Sequence, residues 1–224
     1  MRPKTMPASA YLQTIAFFAI TAAALFASAG TIRFVSFWIY LALLAAVFVA
    51  SLLWVDPDLA CERMRPGGQK PPLALRLFTI VLIAHYVVAG LDRGRYHWSD
   101  GIPGWLQALG LIAMAAGSAL ALWAMVVNRF FSSVVRIQSD RGQHVITTGP
   151  YAVIRHPGYL AGILFVVSSG IALGSWYAAL ILTICTVPFL LYRVITEDGV
   201  LHDELPGYSD YATRVRWRLV PGVW

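Results

Sequence analysis

Charged residues are scarce in this chain of 224 residues. They make up 12% of it, against about 25% in a typical soluble domain. Hydrophobic residues make up 58%, and the mean hydropathy is +0.67. This composition excludes a soluble globular domain and a disordered segment. The apolar runs are also continuous, whereas strands of a transmembrane β-barrel alternate in segments of about 10 residues. The sequence therefore predicts helices that cross a membrane.

Cysteine is scarce as well, because Cys61 and Cys185 are the two cysteines of the chain. They lie far apart and lack the spacing of zinc ligands, so neither a disulfide framework nor a metal site is predicted. The net charge of +6 and the pI near 9.6 are compatible with nucleic-acid binding. Basic residues at the cytoplasmic surface of a membrane protein explain this charge better, so we expect no nucleic-acid partner.

Long uncharged runs predict six membrane-spanning helices. The uncharged runs 5–32, 34–55 and 101–128 each fit one span of about 20 residues. The stretch 73–91 fits another, with Arg76 near one end, where its charge can reach the membrane surface. The run 156–192 is too long for one helix and long enough for two short ones. Gly170, Gly174 and Ser175 favour a tight turn between them. We therefore expect an all-α polytopic membrane protein that ends in a helical hairpin.

The Lys and Arg residues divide unevenly between the two ends of these spans. With the N-terminus inside, the outer segments hold Arg33, Arg93 and Arg95. The inner segments hold the other fourteen: Arg2, Lys4, Arg63, Arg65, Lys70, Arg76, Arg129, Arg136, Arg141, Arg155, Arg193, Arg214, Arg216 and Arg218. Because cytoplasmic loops carry the excess of Lys and Arg, both termini are predicted to be cytoplasmic. We expect the bacterial inner membrane as the location.

The N-terminal apolar run also has features of a signal peptide, since Ala27-Ser28-Ala29 resembles a cleavage site. The run is longer than a usual signal core, so an uncleaved first helix is expected. Residues 1–127 are predicted to form a four-helix transmembrane region, and 128–224 the region that carries the chemistry. The segment 56–72 is rich in Pro and Gly and is predicted to be an interfacial loop.

Three further side-chain predictions concern structure rather than chemistry. His85, in the third span, is predicted to form a hydrogen bond between helices. Gly117 suits close helix packing. In the C-terminal tail, Arg214, Arg216 and Arg218 alternate with apolar residues, which predicts a tail lying on the anionic inner leaflet.

The segment "VRIQSDRGQHVITTGPYAVIRHPGYLAG", residues 135–162, holds several structural devices. Gly149-Pro150 predicts a turn before Tyr151. Pro157 suits the first turn of a helix, which would begin beside His156 at the cytoplasmic end of the fifth span. Free N–H groups at such a helix start favour an anionic group. Each residue by itself is weak support for a functional site.

Arg193 and Glu197 are four residues apart, so they share one face of the sixth helix as it leaves the membrane. One interpretation is an ion pair within the helix, worth a few tenths of a kcal/mol. The other is a functional site at the mouth of the hairpin, since ionisable residues there are rare and costly. The spacing alone does not decide between these interpretations.

The C-terminal half contains, in order, "GPYAVIRHPGY", an apolar hairpin and "RVITEDGVLHDELPGYSDYATRVRWRLVP". This order resembles the isoprenylcysteine carboxyl methyltransferase family, which is related to the phospholipid N-methyltransferases. The family's RHPxY element corresponds to residues 155–159. Its paired acids correspond to Glu197 and Asp198, so that Asp stands where the family has a second Glu. Its GYxxY element corresponds to residues 207–211. The resemblance covers roughly residues 128–224.

This resemblance implies a membrane methyltransferase that uses S-adenosyl-L-methionine in a cytosol-facing pocket of the C-terminal half. Its acceptor would be lipophilic or small: a carboxylate of a prenylcysteine-like molecule, a lipid amine or a thiol. Arg193 would be catalytic on the substrate side, and Arg155 would also face the substrate. The implied cofactor-binding residues are Gln138, Gln143, His144, Val145, Ile146, Thr147, Tyr151, His156, Pro157, Gly158, Tyr159 and Glu197.

Two other classes of function are compatible with parts of the sequence. One is a membrane reductase of related helical fold that uses NADPH, and the other is a membrane scaffold or transporter without enzymatic activity. A transporter calls for ionisable residues within several spans. The first, second and fourth spans lack Asp, Glu, Lys and Arg, which argues against an ion pathway. The oligomeric state stays open.

Overall fold

The computed structural model describes residues 8–68 and 73–224, and these two ranges form helices and loops without a β-strand. The α-helices are α1 (Ala8–Ala29), α2 (Val35–Trp54), α3 (Pro57–Met64), α4 (Leu73–Leu91), α5 (Gly104–Val127), α6 (Pro157–Leu173), α7 (Trp176–Glu204) and α8 (Tyr208–Arg214). Short 3-10 turns lie at Pro66–Gly68, Ser139–Arg141 and Gly149–Ala152, and a π-helical turn lies at Asp92–Tyr96. The predicted all-α class is confirmed.

Five helices are long and apolar enough to cross a membrane, namely α1, α2, α4, α5 and α7. The apolar helix α6 has 17 residues, which is at the lower limit of about 17–25 residues for a span. A multi-pass integral membrane protein is therefore confirmed, whereas the count of six spans stays a prediction. Helix α5 packs on α6, α6 on α7, and α4 on both α1 and α7.

Three interhelical turns meet at one end of this bundle. Arg95 Nε donates to the Ser28 carbonyl at 2.7 Å, which joins the end of α1 to the turn after α4. The Ser175 hydroxyl donates to the Asp92 carboxylate, which joins that turn to the start of α7. The three cations predicted to lie outside are at this end. Of the predicted inner set, Arg2, Lys4 and Lys70 lie outside the described residues.

The prediction of an interfacial loop at 56–72 is wrong for the first half of that segment, because residues 57–64 form α3. The helix begins as its sequence favours. Asp56 Oδ1 accepts a hydrogen bond from the Asp58 N–H at 2.8 Å, and Pro57 occupies the first turn. The Pro and Gly residues of the segment are concentrated after the end of α3, where Gly67 has a φ of 58°.

The predicted turn of the C-terminal hairpin is confirmed at two of its three residues. Helix α6 ends at Leu173 and is capped by Gly174, whose φ of 82° is the left-handed conformation that glycine adopts readily. Ser175 caps α7, and its hydroxyl accepts a hydrogen bond from the Ala178 N–H at 3.1 Å. Gly170 lies instead inside α6, where a Cβ atom would overlap the backbone of Ala179. That close contact explains the glycine.

The predicted interhelical hydrogen bond of His85 is confirmed. Its Nδ1 lies 2.9 Å from the Ala178 carbonyl, and its Nε2 lies 2.9 Å from the Ser169 hydroxyl. Ser169 is also 2.7 Å from the Tyr40 hydroxyl. This fully buried network links α2, α4, α6 and α7, so that polar groups inside the apolar bundle have partners. It holds α6 and α7 at fixed positions for the site at their other ends.

Candidate active site

A cavity of about 520 Å³ opens where α3, residues 128–156, the start of α6 and the last turns of α7 converge. Twelve residues implied by the family resemblance line it: Gln138, Gln143, His144, Val145, Ile146, Tyr151, Arg155, His156, Gly158, Tyr159, Arg193 and Glu197. Helix α7 has 29 residues and is about 43 Å long, which exceeds a hydrocarbon core of about 30 Å. Arg193 and Glu197 lie about 26 and 32 Å along this helix from Trp176, close to the far edge of such a core.

Thr147 and Pro157, which the resemblance also places at the cofactor, do not line the cavity. Thr147 is exposed. Pro157 is buried at the start of α6, where its missing N–H suits the first helical turn. Two backbone donors of this helix start are engaged within the chain, because the His156 N–H donates to Arg218 and the Tyr159 N–H to His156. The helix start thus has fewer free donors for an anion than predicted.

Arg193 and Glu197 are joined through a third side chain. Arg193 Nε donates to the Tyr159 hydroxyl at 3.1 Å, and that hydroxyl donates to Glu197 Oε2 at 2.6 Å. Arg193 Nη1 also donates to the Ser133 carbonyl at 2.9 Å. No direct ion pair between Arg193 and Glu197 occurs among the residues described. The interpretation as a simple pair within the helix is therefore wrong, because Tyr159 of α6 stands between the two.

Asp198 is the centre of a separate buried cluster. Its carboxylate accepts hydrogen bonds from Arg155 Nη2 at 3.1 Å, from the Tyr208 hydroxyl at 2.8 Å and from Arg218 Nε at 2.8 Å. His156 Nε2 lies 3.0 Å away. Asp198 is 1% exposed, so these donors compensate a charge that would be costly to bury alone. The Asp in place of the family's second Glu therefore binds protein side chains.

The Asp198 cluster also changes the expectation for two arginines. Arg155 lines the cavity, but its guanidinium is turned toward Asp198, with Nε 3.0 Å from Oδ1. Arg218, predicted to face the inner leaflet, pairs with the same carboxylate. The backbone supports this placement, since the Arg155 N–H donates to the Trp217 carbonyl at 2.9 Å. The tail thus packs against the start of α6, which sequence alternation alone did not indicate.

Helix α8 supplies two cavity residues to which sequence reasoning gave no role, Tyr208 and Tyr211. The Tyr211 hydroxyl donates to the Tyr151 carbonyl at 2.7 Å. Burial raises the pKa of Tyr211 to about 12, so this hydroxyl keeps its proton at neutral pH. Burial and the neighbouring Asp198 charge also raise the pKa of Tyr208. The GYxxY spacing was the signal that could have identified both.

The loop that carries Gln138, Gln143 and His144 in the cavity wall is ordered by its own polar residues. Gln138 is 1% exposed, and its Nε2 donates to the Phe130 carbonyl at 2.7 Å. The Gln138 N–H donates to Gln143 Oε1 at 2.6 Å, and the Arg141 guanidinium donates to Gln138 Oε1. His144 is exposed beside this loop, with its ring 5.1 Å from that of Phe130. Gln138 and Gln143 therefore shape the wall of the cavity.

Gly158 lines the cavity at a position where a larger residue would not fit. A Cβ atom at this position would overlap the ring of Phe131, which also lines the cavity. Phe131 in turn lies under Arg63 of α3, whose guanidinium carbon is 4.9 Å from the ring centroid. Arg63 is a cavity residue that sequence reasoning missed. Its acidic and basic neighbours in "DPDLACERM" were the available signal.

Within 8–68 and 73–224, no three His, Cys, Asp or Glu side chains approach closely enough to hold a metal ion. Cys61 and Cys185 are free thiols. Among the polar residues of the cavity, Arg193 and Glu197 meet at the Tyr159 hydroxyl. Arg155 and His156 meet at Asp198.

Comparison with known proteins gives three findings. The model of the isoprenylcysteine carboxyl methyltransferase family matches residues 108–203. The nickel-cobalt-cadmium resistance protein NccN of Alcaligenes xylosoxydans xylosoxydans is 28% identical over 135 residues, covering 59% of this chain and 59% of that protein. Protein-S-isoprenylcysteine O-methyltransferase B of Arabidopsis thaliana is 25% identical over 146 residues, covering 64% of this chain and 70% of that protein.

A solved structure shares the fold. It is that of the eukaryotic intramembrane Ras methyltransferase, isoprenylcysteine carboxyl methyltransferase, with a TM-score of 0.66 and 19% identity. The match covers 93% of this chain and 75% of that one. By contrast, the chain spans 59% of the length of the metal-resistance relative.

Proposed function

We propose, from the premise that residues 108–203 belong to the isoprenylcysteine carboxyl methyltransferase family, that this protein is a membrane methyltransferase dependent on S-adenosylmethionine. Its acceptor is a lipophilic molecule that carries a carboxylate, as a prenylcysteine does. The observation that carries the proposal is the meeting of Glu197, Tyr159 and Arg193 on one cavity. The acidic and basic residues of α7 are coupled there by a hydroxyl of the RHPGY segment.

The cavity fits S-adenosylmethionine in size and in donor set. Its volume of about 520 Å³ lies within the roughly 300–1,000 Å³ of small-molecule sites. Glu197 is an acceptor for an amino group or ribose hydroxyls. The Tyr151 ring is suited to packing on adenine, or to approaching a cationic sulfonium. Gln138, Gln143 and His144 supply a polar wall on the loop side.

When bound, S-adenosylmethionine would supply the methyl group carried on its sulfur. An acceptor oxygen would bond to the methyl carbon while the S–CH₃ bond breaks, and the electron pair of that bond would stay on sulfur. A carboxylate acceptor has no proton to lose, so the residues need to align and desolvate the reactants rather than act as a base. Arg193 orients the acceptor carboxylate with its guanidinium. Tyr159 fixes the position of Arg193 relative to Glu197.

The apolar part of the cavity supports a lipophilic acceptor. Its wall extends between α2, α4, α5, α6 and α7 through the apolar side chains Leu44, Val47, Phe78, Met125, Phe165 and Leu190. Burial of a hydrocarbon chain there stabilises binding by about 0.8 kcal/mol per methylene group. The polar loop wall suits a polar cofactor, and this apolar wall suits a lipophilic acceptor.

Both chain ends would lie in the cytoplasm of a bacterial cell, with the protein in the inner membrane. The proposal rests on the arginine distribution, since Arg33, Arg93 and Arg95 lie at the end opposite the cavity. In this orientation the cavity faces the cytosol, where S-adenosylmethionine is made. The lipid bilayer would be the route by which the acceptor arrives.

Calorimetry on detergent-solubilised protein tests the function. We expect the wild type to bind S-adenosylmethionine and its demethylated product S-adenosylhomocysteine, and Glu197→Gln to lose most of that affinity. Asp203→Asn is the matched control, because Asp203 is exposed on the same helix and does not line the cavity. Folded wild type that binds NADPH but neither sulfur compound would refute the proposal.

A further inference from the structure

Arg63 reaches the cavity from the N-terminal half of the chain. It lies on α3, and its Nη1 donates to the Phe131 carbonyl at 3.3 Å. Its guanidinium is also stacked over the Phe131 ring at 4.9 Å. Both Arg63 and Arg193 line the same cavity. The site thus contains a cation that lies outside the region matched by the family model.

Ion pairs with arginines of residues 129–141 hold α3 in this position. Glu62 Oε1 is 2.9 Å from Arg136 Nη2, and Asp58 Oδ2 is 2.6 Å from Arg141 Nη2. Both partners belong to the loop that forms the polar wall of the cavity. Asp58 and Glu62 are one helical turn apart and use the same face of α3. Arg63 is therefore presented to the cavity by a helix that is fastened to the cavity wall.

Ser133 connects the two cavity arginines. Its hydroxyl donates to the Arg63 carbonyl at 3.1 Å, and its carbonyl accepts from Arg193 Nη1 at 2.9 Å. Burial lowers the pKa of the Arg63 guanidinium, and the positive charge of Arg193 lowers it further. Arginine stays protonated at neutral pH in such surroundings. Two positive charges therefore face one partly apolar cavity, close enough to influence each other.

Neither of these two guanidiniums has a carboxylate within ion-pair distance in the part of the chain that the structure describes. Glu197 reaches Arg193 through the Tyr159 hydroxyl. Like charges in a poorly solvated site repel, and an anion bound between them removes that cost. Their remaining N–H groups suit a group with two acceptor oxygens.

We propose that Arg63 is a specificity-determining residue that binds, together with Arg193, the anionic group of the methyl acceptor. The inference rests on the proposed function and deepens it by adding a second cation to the acceptor subsite. A carboxylate has two oxygens, so one is held by Arg63 while the other is oriented by Arg193 for methylation. A neutral carboxamide lacks the charge that both arginines require and binds poorly.

The test compares acceptor recognition in Arg63→Gln and Arg65→Gln. Arg65 ends the same helix, is exposed and does not line the cavity, so its variant removes the same charge outside the site. The acceptor probe is an S-isoprenyl cysteine with a free carboxylate, and its carboxamide serves as the neutral competitor. We expect Arg63→Gln to raise KM for the carboxylate about tenfold or more, as loss of a charge-assisted contact does. Preference for carboxylate over carboxamide should fall by a similar factor.

S-adenosylhomocysteine affinity separates this inference from the proposed function. Its Kd should be unchanged in Arg63→Gln, because the residue is assigned to the acceptor. A tenfold weaker Kd with unchanged acceptor discrimination would overturn the inference and assign Arg63 to the cofactor. Unchanged KM and discrimination in Arg63→Gln would also overturn it. A wild type that binds no S-adenosylhomocysteine would refute the function itself.

A conservative variant keeps the inference testable if Arg63→Gln does not fold. Arg63→Lys keeps the charge but loses the planar fork, so we expect an acceptor KM between those of wild type and Arg63→Gln. The size-exclusion profile and thermal midpoint establish that each variant is folded. If Arg63→Gln does not fold, wild-type KM and discrimination in folded Arg63→Lys would overturn the inference, and a several-fold rise in KM would support it.

Discussion

The Tyr159 hydroxyl lies 2.6 Å from Glu197 Oε2 and donates a hydrogen bond to it. The hydroxyl oxygen of Tyr159 also accepts from Arg193 Nε at 3.1 Å. One hydroxyl on α6 therefore bridges a carboxylate and a guanidinium on α7. Because the two residues of α7 are proposed to serve different ligands, Tyr159 links the cofactor side of the cavity to the acceptor side.

Removal of this hydroxyl should weaken cofactor binding and also slow turnover. In Tyr159→Phe, Glu197 loses a donor and Arg193 loses an acceptor, while the ring still fills its place. We expect the Kd for S-adenosylhomocysteine to rise about tenfold, as for a hydrogen bond to a charged group, and kcat to fall further. Calorimetry and initial-rate kinetics measure these effects. Tyr177→Phe is the control, because Tyr177 is exposed in the first turn of α7, away from the cavity.

Replacement of Asp198 should lower the stability of the folded protein. Asp198→Asn leaves Arg155 and Arg218 without their countercharge at a buried position. Breaking such a pair costs about 3–5 kcal/mol, which should lower the thermal midpoint by about 6 °C or more. Thermal unfolding in detergent gives the midpoint. Asp203→Asn, exposed on the same helix, should leave it unchanged, and equal midpoints for all three proteins would contradict the structural role.

Gly158 and Gly199 should respond oppositely to alanine. In Gly158→Ala, the new methyl group meets the Phe131 ring, so the cavity wall must shift and S-adenosylhomocysteine binding should weaken several-fold. Gly199 is exposed in α7, where nothing lies within 4 Å of a Cβ atom. Gly199→Ala should therefore raise stability by about 0.5–1 kcal/mol through helix propensity. Calorimetry and thermal unfolding distinguish the two outcomes.

The Tyr211 hydroxyl predicts a pH dependence in alkaline solution. Burial raises its pKa from 10.0 to about 12 in the folded protein, so the folded state favours the protonated form. This contribution to stability is fully present below pH 10 and is lost as the pH rises through about 12. Thermal midpoints measured from pH 9 to 12 should fall less in Tyr211→Phe than in wild type. Parallel pH profiles would show that the hydroxyl does not titrate as stated.

Orientation in the membrane is testable by cysteine labelling of intact bacterial cells. On a background in which Cys61 and Cys185 are replaced by serine, Arg33→Cys should react with a membrane-impermeant maleimide added outside. Arg214→Cys should react only after the cells are opened, since the tail is proposed to be cytoplasmic. The reverse pattern would place the cavity on the outer side.

The sequence by itself determined the features that depend on neighbouring residues. Uncharged runs predicted the apolar helices, and Gly174 with Ser175 predicted the hairpin turn, because backbone conformation and capping are local properties. The order and spacing of the two motifs also indicated a resemblance to the family whose model matches residues 108–203. The division of the chain at residues 127 and 128 and the roles of the site residues stay predictions.

Only the tertiary structure decided which side chains meet. Arg63 contacts Phe131 across 68 residues of sequence, and Arg155 meets Asp198 across 43. These pairs depend on how α3 and the tail pack against the start of α6 and the end of α7, which no local pattern encodes. Charge pattern in the tail indicated a lipid contact for Arg218, but a buried carboxylate nearby offers a stronger partner than a solvated surface. The apolar sequence therefore specifies the helices, and their packing brings together the charges that form the site.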